Sequence, residues 1–345
     1  MSAKLKHWAW LTTEPGLPDD EWKRRLARMR QAGISAILPE IFDNHAAAYQ
    51  SAHLPVVGPW LEQLLPLAQE AGLEVHAWMH TMTCNIPRIN QEHREWFAVN
   101  GRGESAVDKP AYVGYYKFLC PSQPGAQAFL QQRVEELAQY PGLTSIHLDY
   151  IRFPDVILAA GLQPQYGIVQ DREYPEYDYC YCALCREAFS RQTGTDLLSL
   201  PDPSASAAWR QFRCDLITRL VKEVLAPIAR RQGKQVTAAV FPNWQHVRQQ
   251  WSAWELDAVL PMLYHSFYRE DLEWIRKECE VGVKSLKESR TSLYSGLFVP
   301  ALKPEELAQA IRVSLEGGAQ GVSLFSAGAM SEAHWEHFSK AVAAP

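Results

Sequence analysis

LTSIHLDYIRFP, residues 143–154, combines an apolar run with an acid near its end. Residues two apart on a strand point to the same side, so His147 and Asp149 share one face. The run stops at Pro154. We therefore predict a buried strand that presents Asp149 at its carboxyl end. The structural alternative is that Asp149 only forms an ion pair with Arg152.

Strands and helices alternate along the chain on both sides of this segment, judged from hydrophobic periodicity and from Gly and Pro positions. The other predicted strands are His7–Thr13, Ile34–Ile41, Leu73–His80, Gln235–Pro242, Ala258–Tyr264, Ser292–Val299 and Gly321–Phe325. The predicted helices are Asp19–Gln31, Pro55–Ala71, Gly125–Gln139, Ala183–Thr193, Ala207–Gln232, Tyr268–Leu286, Lys303–Glu316 and Ser331–Val342. Eight strands in strict alternation with helices predict an α/β protein with a (β/α)8 TIM-type barrel, and a doubly wound sheet is the alternative.

The length of 345 residues suits one elaborated barrel domain, residues 1–345. Two segments, about 81–122 and 155–181, lack a clear periodicity and are too long for structureless connections. We predict that they are elaborated loops after strands three and four, over the mouth of the barrel.

Charge and hydropathy exclude several classes of partner. The formal net charge is −5 and the basic residues form no long cluster, which disfavours nucleic acid. No run reaches the roughly 18 apolar residues of a membrane span. The beginning, MSAKLKHWAWLTTEPG, lacks an uninterrupted apolar segment, which predicts a cytoplasmic protein; export is expected if a signal preceded a trimmed start. Seven Cys residues suit reduced thiols better than a disulfide framework.

Two acids close predicted strands, and a barrel gathers such strand ends around one pocket. Asp149 and Glu40 are the candidate catalytic pair, because hydrolysis of a glycosidic bond usually takes two carboxyl groups. We expect Asp149 to act as nucleophile or base, and Glu40 or a loop acid to protonate the leaving group. Glu40 could instead hold a substrate hydroxyl, and a single acid with substrate assistance is a further alternative. The later strands end without a carboxylate. The rival acids are Asp43, Asp155, Glu173, Glu176 and Asp178.

Aromatic and polar residues at or near the same strand ends predict a cleft for a flat ligand such as a sugar. His80, His147 and His265 together also suggest a metal-dependent hydrolase or deacetylase, although no HxH or HExxH motif places two of them on one element. The predicted substrate-binding residues are Trp10, Trp78, His80, His147, Arg152, Asn243, Tyr264 and His265.

The segment DYCYCALCREAF carries three closely spaced thiols, Cys180, Cys182 and Cys185. They could bind a structural zinc ion, with Cys120 or a nearby acid or His as the fourth ligand, or they could be three reduced cysteines at the start of a helix. A site made of thiolates with no open position would not be catalytic.

Six segments carry a family resemblance: GISAILPEIFDNHAAAYQS, LEVHAWMH, FLCPSQPGAQAFL, IHLDYIRFP, CYCALCREAF and VLPMLYH. Together they resemble the glycosyl-hydrolase-like family 10 barrels, and the resemblance covers roughly Trp8 to Phe325. It implies a TIM-type barrel acting on a glycan, with Asp149 at the acid of the fourth strand and Arg152 at the basic residue after it.

The resulting expectation is a glycoside hydrolase that cleaves an oligo- or polysaccharide and needs no cofactor for catalysis. A carbohydrate-binding barrel without turnover is the second hypothesis, motivated by the missing acid on the later strands. The sequence does not predict the oligomeric state.

Overall fold

The computed structural model describes residues 5–343, so the ends of the predicted domain, 1–4 and 344–345, lie outside the described residues. Within residues 5–343, nine strands form one sheet in which every strand pair is parallel. They are β1 (His7–Leu11), β2 (Ile34–Phe42), β3 (Glu74–His80), β4 (Ser145–Asp149), β5 (Gln235–Val240), β6 (Ala258–Pro261), β7 (Ser292–Leu293), β8 (Ser295–Phe298) and β9 (Val322–Phe325).

Helices follow the strands, as the right-handed crossovers of a parallel sheet require. They are α1 (Asp19–Ala32), α2 (Trp60–Glu70), α3 (Pro87–Glu92), α4 (Pro124–Ala138), α5 (Ala183–Thr193), α6 (Ala207–Arg219), α7 (Ala226–Arg231), α8 (His265–Tyr268), α9 (Leu272–Ser285), α10 (Pro304–Glu316) and α11 (Glu332–Ala343). Among residues 5–343, none of the helices is both long and apolar enough to cross a bilayer.

The sheet is a nearly closed barrel in the order β7-β6-β5-β4-β3-β2-β1-β9-β8, and β7 and β8 are two pieces of one strand interrupted at Tyr294. The two edges meet where Met262 bridges Gly296 in parallel and the Tyr294 N–H donates to the Val259 carbonyl at 3.0 Å. Gly296 permits this approach, because a Cβ there would lie 2.7 Å from the Pro261 carbonyl oxygen. The predicted TIM-type barrel is confirmed, with its seventh strand broken.

Three predicted helices differ from the structure for local reasons. The second helix begins at Trp60 rather than Pro55, after Gly58 at φ 157° and Pro59. The predicted helix from Tyr268 is split, because Arg269 has φ 60° and the Asp271 side chain caps a new helix.

The predicted helix Ala207–Gln232 contains a π-helical turn, Leu220–Leu225, between α6 and α7. Pro227 follows within the first turn of α7. A proline has no N–H and its ring crowds the carbonyl four residues before it, and a widened turn accommodates both effects.

The two long segments after β3 and β4 contact each other above the carboxyl ends of the strands. Asn100 and Tyr179 form an antiparallel bridge, and the Tyr181 N–H donates to the Val99 carbonyl at 2.7 Å. The segment after β3 contains α3, and the segment after β4 contains a short 3-10 turn, Gln163–Tyr166. Together they build the walls of a cleft.

Candidate active site

The cleft lies at the carboxyl ends of the strands and has a volume of about 460 Å³. Strand ends supply its floor, and the two long segments supply aromatic walls. Its lining residues are Thr12, Glu40, Trp78, His80, Tyr112, Tyr115, Tyr116, Asp149, Tyr150, Arg152, Asp155, Leu158, Ala159, Leu162, Tyr166, Phe241, Met262, Tyr264, Phe267, Tyr268, Phe298 and Phe325.

Asp149 is the last residue of β4, and its carboxyl group is buried in the floor of this cleft with 9% of the residue exposed. The Trp78 indole Nε1–H donates to Oδ2 at 3.0 Å, and the Tyr150 N–H donates to Oδ1 at 2.7 Å. Burial raises the pKa of the Asp149 carboxyl, and these hydrogen bonds and the positive charge of Arg152 offset only part of that effect. Asp149 therefore keeps a proton to higher pH than an ordinary aspartate.

Glu40 reaches the same cleft from β2, two strands away from β4 in the sheet. The Thr13 hydroxyl and N–H both lie within hydrogen-bond distance of Oε2, at 3.2 and 3.3 Å. The His80 Nε2 lies 3.2 Å from Oε1. The carboxylate is thus held by donors on both oxygens, as a base or nucleophile needs to be.

His80, at the end of β3, lies between the two acids in the sheet. Its Nδ1 is 3.1 Å from the Asn44 amide nitrogen, which donates, because the Asn44 oxygen accepts from Asn85 at 2.9 Å. The Nε2 therefore carries the hydrogen that faces Glu40. The buried Arg133 donates to the His80 carbonyl at 3.2 Å and to the Thr81 carbonyl at 2.7 Å, which fixes the end of this strand.

The rival acids have other partners. Within residues 5–343, the carboxyl groups that line the cleft are those of Glu40, Asp149 and Asp155, and Asp155 is bound by Arg152 at 3.0 Å. The alternative pairing of Arg152 with Asp149 is therefore not the one observed. The remaining rivals each bind elsewhere: Asp43 to the His45 and Ala46 N–H groups, Glu173 to Arg248, Glu176 to Arg102, and Asp178 to Arg213 and Arg248.

Arg152 packs against the aromatic wall of the cleft, and its charge is paired with Asp155. Its guanidinium lies 4.6 Å from the Phe241 ring centroid and 5.2 Å from that of Tyr150. It also donates to the Tyr116 hydroxyl at 3.3 Å. Such contacts with ring faces hold a planar cation and the surrounding rings in one arrangement.

Four of the eight predicted substrate-binding residues line the cleft: Trp78, His80, Arg152 and Tyr264. Trp10 and His147 lie beneath it, fully buried, where the Trp10 indole donates to His147 Nε2 at 3.3 Å and His147 Nδ1 meets the Thr237 hydroxyl at 2.9 Å. Burial holds the pKa of His147 well below its usual value, so it is a neutral core residue.

Asn243 and His265 also do not line the cleft. The Asn243 amide contacts His246 at 2.9 Å and accepts from the Tyr268 hydroxyl at 3.2 Å, so it supports a lining residue from behind. His265 begins the short helix α8. Both residues lie beyond the ends of their strands, at the starts of the short helical turns Trp244–Val247 and His265–Tyr268.

The geometry does not favour the alternative in which the three histidines hold a metal ion. His147 is buried with both ring nitrogens engaged, and His265 lies outside the cleft that His80 lines. In the described part of the chain, the group of side chains placed to hold a metal is instead the cysteine cluster: Cys120, Cys180, Cys182 and Cys185, all buried.

The tyrosines of the two long segments were not predicted from the sequence as site residues. Tyr112, Tyr115 and Tyr116 come from the first segment and Tyr166 from the second. Tyr112 also stacks on Tyr177 with ring centroids 4.4 Å apart. The run AYVGYY at 111–116 could have indicated these residues, because three tyrosines within six residues of a long loop suggest an aromatic binding surface.

Three solved structures of other proteins resemble this chain in fold. The structure resembles a β-galactosidase from the psychrophilic Marinomonas ef1, with a TM-score of 0.69 and 12% identity over 98% of this chain and 59% of that one. It also resembles the catalytic domain of the β-amylase from Paenibacillus polymyxa, with a TM-score of 0.68 and 11% identity over 97% of both chains.

A third neighbour is the PgaB (BpsB) glycoside hydrolase domain from Bordetella bronchiseptica, with a TM-score of 0.67 and 14% identity over 93% of this chain and 94% of that one. At such identities the likeness concerns the fold. The chain spans about three fifths of the length of the β-galactosidase. A search of curated proteins gave no match. The glycosyl hydrolase-like 10 family model matches residues 23–306, and the chain therefore belongs to that family.

Proposed function

We propose that this protein is a glycoside hydrolase that cleaves an O-glycosidic bond within an oligo- or polysaccharide. The observation that carries the proposal is the presence of two carboxyl groups, Asp149 and Glu40, in one aromatic-walled cleft at the carboxyl ends of the barrel strands. This edge is where barrel enzymes assemble their active sites. The family assignment supports the same class of reaction.

In the proposed mechanism Asp149 is the general acid. It gives its proton to the glycosidic oxygen as the bond from that oxygen to the anomeric carbon breaks. Because burial raises its pKa, the carboxyl holds this proton closer to neutral pH. This division of roles is the reverse of the one suggested by the sequence, where Asp149 was the nucleophile or base.

Glu40 acts on the other side of the anomeric carbon. It either attacks that carbon, forming a glycosyl ester that water later hydrolyses, or takes a proton from the water that attacks. In the first case Asp149, deprotonated by the first step, removes the proton from the incoming water. His80 and Thr13 hold Glu40 in position through both of its oxygens.

The walls indicate the substrate class. Rings of tyrosine and phenylalanine offer flat apolar faces that suit the C–H faces of a pyranose. Burial raises the pKa of the Tyr264 hydroxyl well above its usual value, and the charge of Asp149 adds to this effect. Tyr264 therefore remains protonated and able to donate to a sugar oxygen.

The test is release of reducing ends from a panel of oligo- and polysaccharides by the wild type, Asp149→Asn and Glu40→Gln. We expect turnover on at least one glycan and a loss of roughly 10²–10⁴-fold in each variant, the range for removal of acid–base catalysis. Asp43→Asn is the matched control, since Asp43 lies outside the cleft and asparagine retains its acceptor oxygen.

The competing function is carbohydrate binding without turnover. It is favoured by one observation: in the described part of the chain, strands β5 to β9 present no carboxylate to the cleft. Tight binding of a glycan by calorimetry, with no reducing ends released from it by the wild type, would establish the binding function and refute the hydrolase.

A further inference from the structure

The cysteine cluster is buried where the two cleft-wall segments contact each other, and it unites residues far apart in the chain. Cys120 comes from the segment after β3, and Cys180, Cys182 and Cys185 come from the segment after β4 and the start of α5. All four sulfur atoms lie within 4.8 Å of one another. Of the seven cysteines in the chain, these four converge, and the other three do not join them.

The spacing of the sulfurs matches a tetrahedral metal site. Cys120 Sγ lies 3.6 Å from Cys182 Sγ and 3.5 Å from Cys185 Sγ. Four sulfurs bound to Zn²⁺ at about 2.3 Å would be about 3.8 Å apart. The observed distances are far longer than the roughly 2.05 Å of a disulfide. Cys182 and Cys185 also form a C-x-x-C pair, the chelating spacing of zinc sites.

The surroundings donate hydrogen bonds to the sulfurs. The Val99 N–H donates to Cys180 Sγ at 3.3 Å and the Ser122 N–H to Cys120 Sγ at 3.4 Å. The Ser122 hydroxyl lies 3.3 Å from Cys185 Sγ. Backbone N–H groups that donate to sulfur, as those of Val99 and Ser122 do, stabilise metal-bound thiolates and orient them.

We infer that Cys120, Cys180, Cys182 and Cys185 form a structural zinc site that fastens the two cleft-wall segments to each other. All four coordination positions come from the protein, so the site has no open position for a substrate. It lies next to the antiparallel bridge between Asn100 and Tyr179.

The zinc site would also determine the shape of the cleft. The stacked pair of Tyr112 and Tyr177 joins the same two segments, and Tyr112 lines the cleft. The Tyr112 hydroxyl donates to the Asp155 carbonyl at 2.7 Å, which extends the connection to the residues that follow Asp149. Fixing the base of the two segments therefore fixes the aromatic wall.

The first measurement is the metal content of the purified full-length protein by inductively coupled plasma mass spectrometry. We expect about one zinc per chain after dialysis against zinc and then against metal-free buffer. No zinc, one iron per chain, or two disulfides in the mass of the unreduced chain would each overturn the assignment. This measurement needs neither a variant nor hydrolytic activity, so its result is independent of the proposed function.

The second measurement compares Cys185→Ala with Cys214→Ala, a buried cysteine of α6 outside the cluster. We expect Cys185→Ala to lose zinc and to lower the melting temperature, and Cys214→Ala to retain one zinc per chain. Cobalt substitution of the wild type should give the intense visible bands of a tetrahedral thiolate site. Full zinc retention by Cys185→Ala, or octahedral cobalt bands, would contradict the inference.

Discussion

The hydrogen bond from Trp78 to Asp149 gives a direct way to perturb the proposed general acid. Trp78→Phe removes the Nε1–H that donates to Oδ2 at 3.0 Å, while it keeps an aromatic ring in the barrel. This donor stabilises the ionised carboxylate. Burial already raises the pKa of Asp149, and loss of this donor should therefore raise it further.

The magnitude follows from the contact. A hydrogen bond to a charged group contributes roughly 1.5–3 kcal/mol, and about 1.4 kcal/mol corresponds to a tenfold change in proton affinity. Because 9% of Asp149 is exposed, water replaces part of the lost bond, and we expect the lower limit. The titration midpoint of Asp149 should rise by about one pH unit.

The assay is a ¹³C NMR titration of aspartate-labelled protein, with Asp149→Asn to assign the resonance. The alkaline limb of the pH–rate profile should move to higher pH by the same amount, since loss of the acid's proton ends turnover. Trp8→Phe is the matched control: Trp8 lies in the same barrel interior, and its Nε1 has no hydrogen-bond partner among the described residues. A midpoint that stays unchanged or falls in Trp78→Phe would refute the reasoning.

Three further predictions concern the wall and the base of the barrel. Asp155→Asn breaks a buried ion pair with Arg152 and should lower the free energy of unfolding by roughly 3–5 kcal/mol in urea titrations. A decrease under about 1 kcal/mol would show that the ion pair does not stabilise the fold. Burial lowers the pKa of His7 to about 4, so the unfolded chain binds a proton that the folded chain does not, and stability should fall as the pH drops from about 6.5 to about 4. This contribution reaches about 3 kcal/mol, and His7→Asn should remove it; equal pH slopes of unfolding free energy in both proteins would contradict the assignment. Tyr166→Ala should weaken oligosaccharide binding about tenfold in calorimetry, whereas Tyr174→Ala, outside the cleft, should not. Equal affinities of the two variants for the oligosaccharide would show that the Tyr166 ring does not contribute to binding.

The barrel could be predicted because each strand is a short apolar run followed by a helix, and few folds are compatible with this alternation. The break at Tyr294 could not, because it depends on how the last strands meet when the sheet closes. Asp149 and Glu40 could be placed in the cleft for a local reason: Asp149 ends a buried strand, Glu40 lies two residues before the end of another, and parallel strands end at one edge.

The sequence did not indicate how deep in the barrel each inward-facing side chain lies. His147 and Asp149 have the same parity on β4, so both point inward, but His147 lies two residues deeper, about 7 Å along the strand. One becomes a core residue and the other reaches the cleft. Trp10 is buried in the same way on β1.

The contacts between the two long segments could not be predicted for a different reason. Tyr112 and Tyr177 stack although 65 positions separate them, and Cys120 joins three cysteines at least 60 positions away. Contacts of this kind depend on how two loops pack against each other, which no local pattern records. Cys120 was nevertheless one of the expected fourth ligands.

A crystal structure of Glu40→Gln with an uncleaved oligosaccharide tests the central claim most directly. We predict that the sugar lies in the aromatic cleft with its glycosidic oxygen about 2.6–3.2 Å from a carboxyl oxygen of Asp149, and with the anomeric carbon facing residue 40. The carboxyl separation, about 5–5.5 Å or roughly 6.5–9.5 Å, would then distinguish retention from inversion. A saccharide bound away from Asp149, or with its glycosidic oxygen beyond the reach of both residues, would contradict the account.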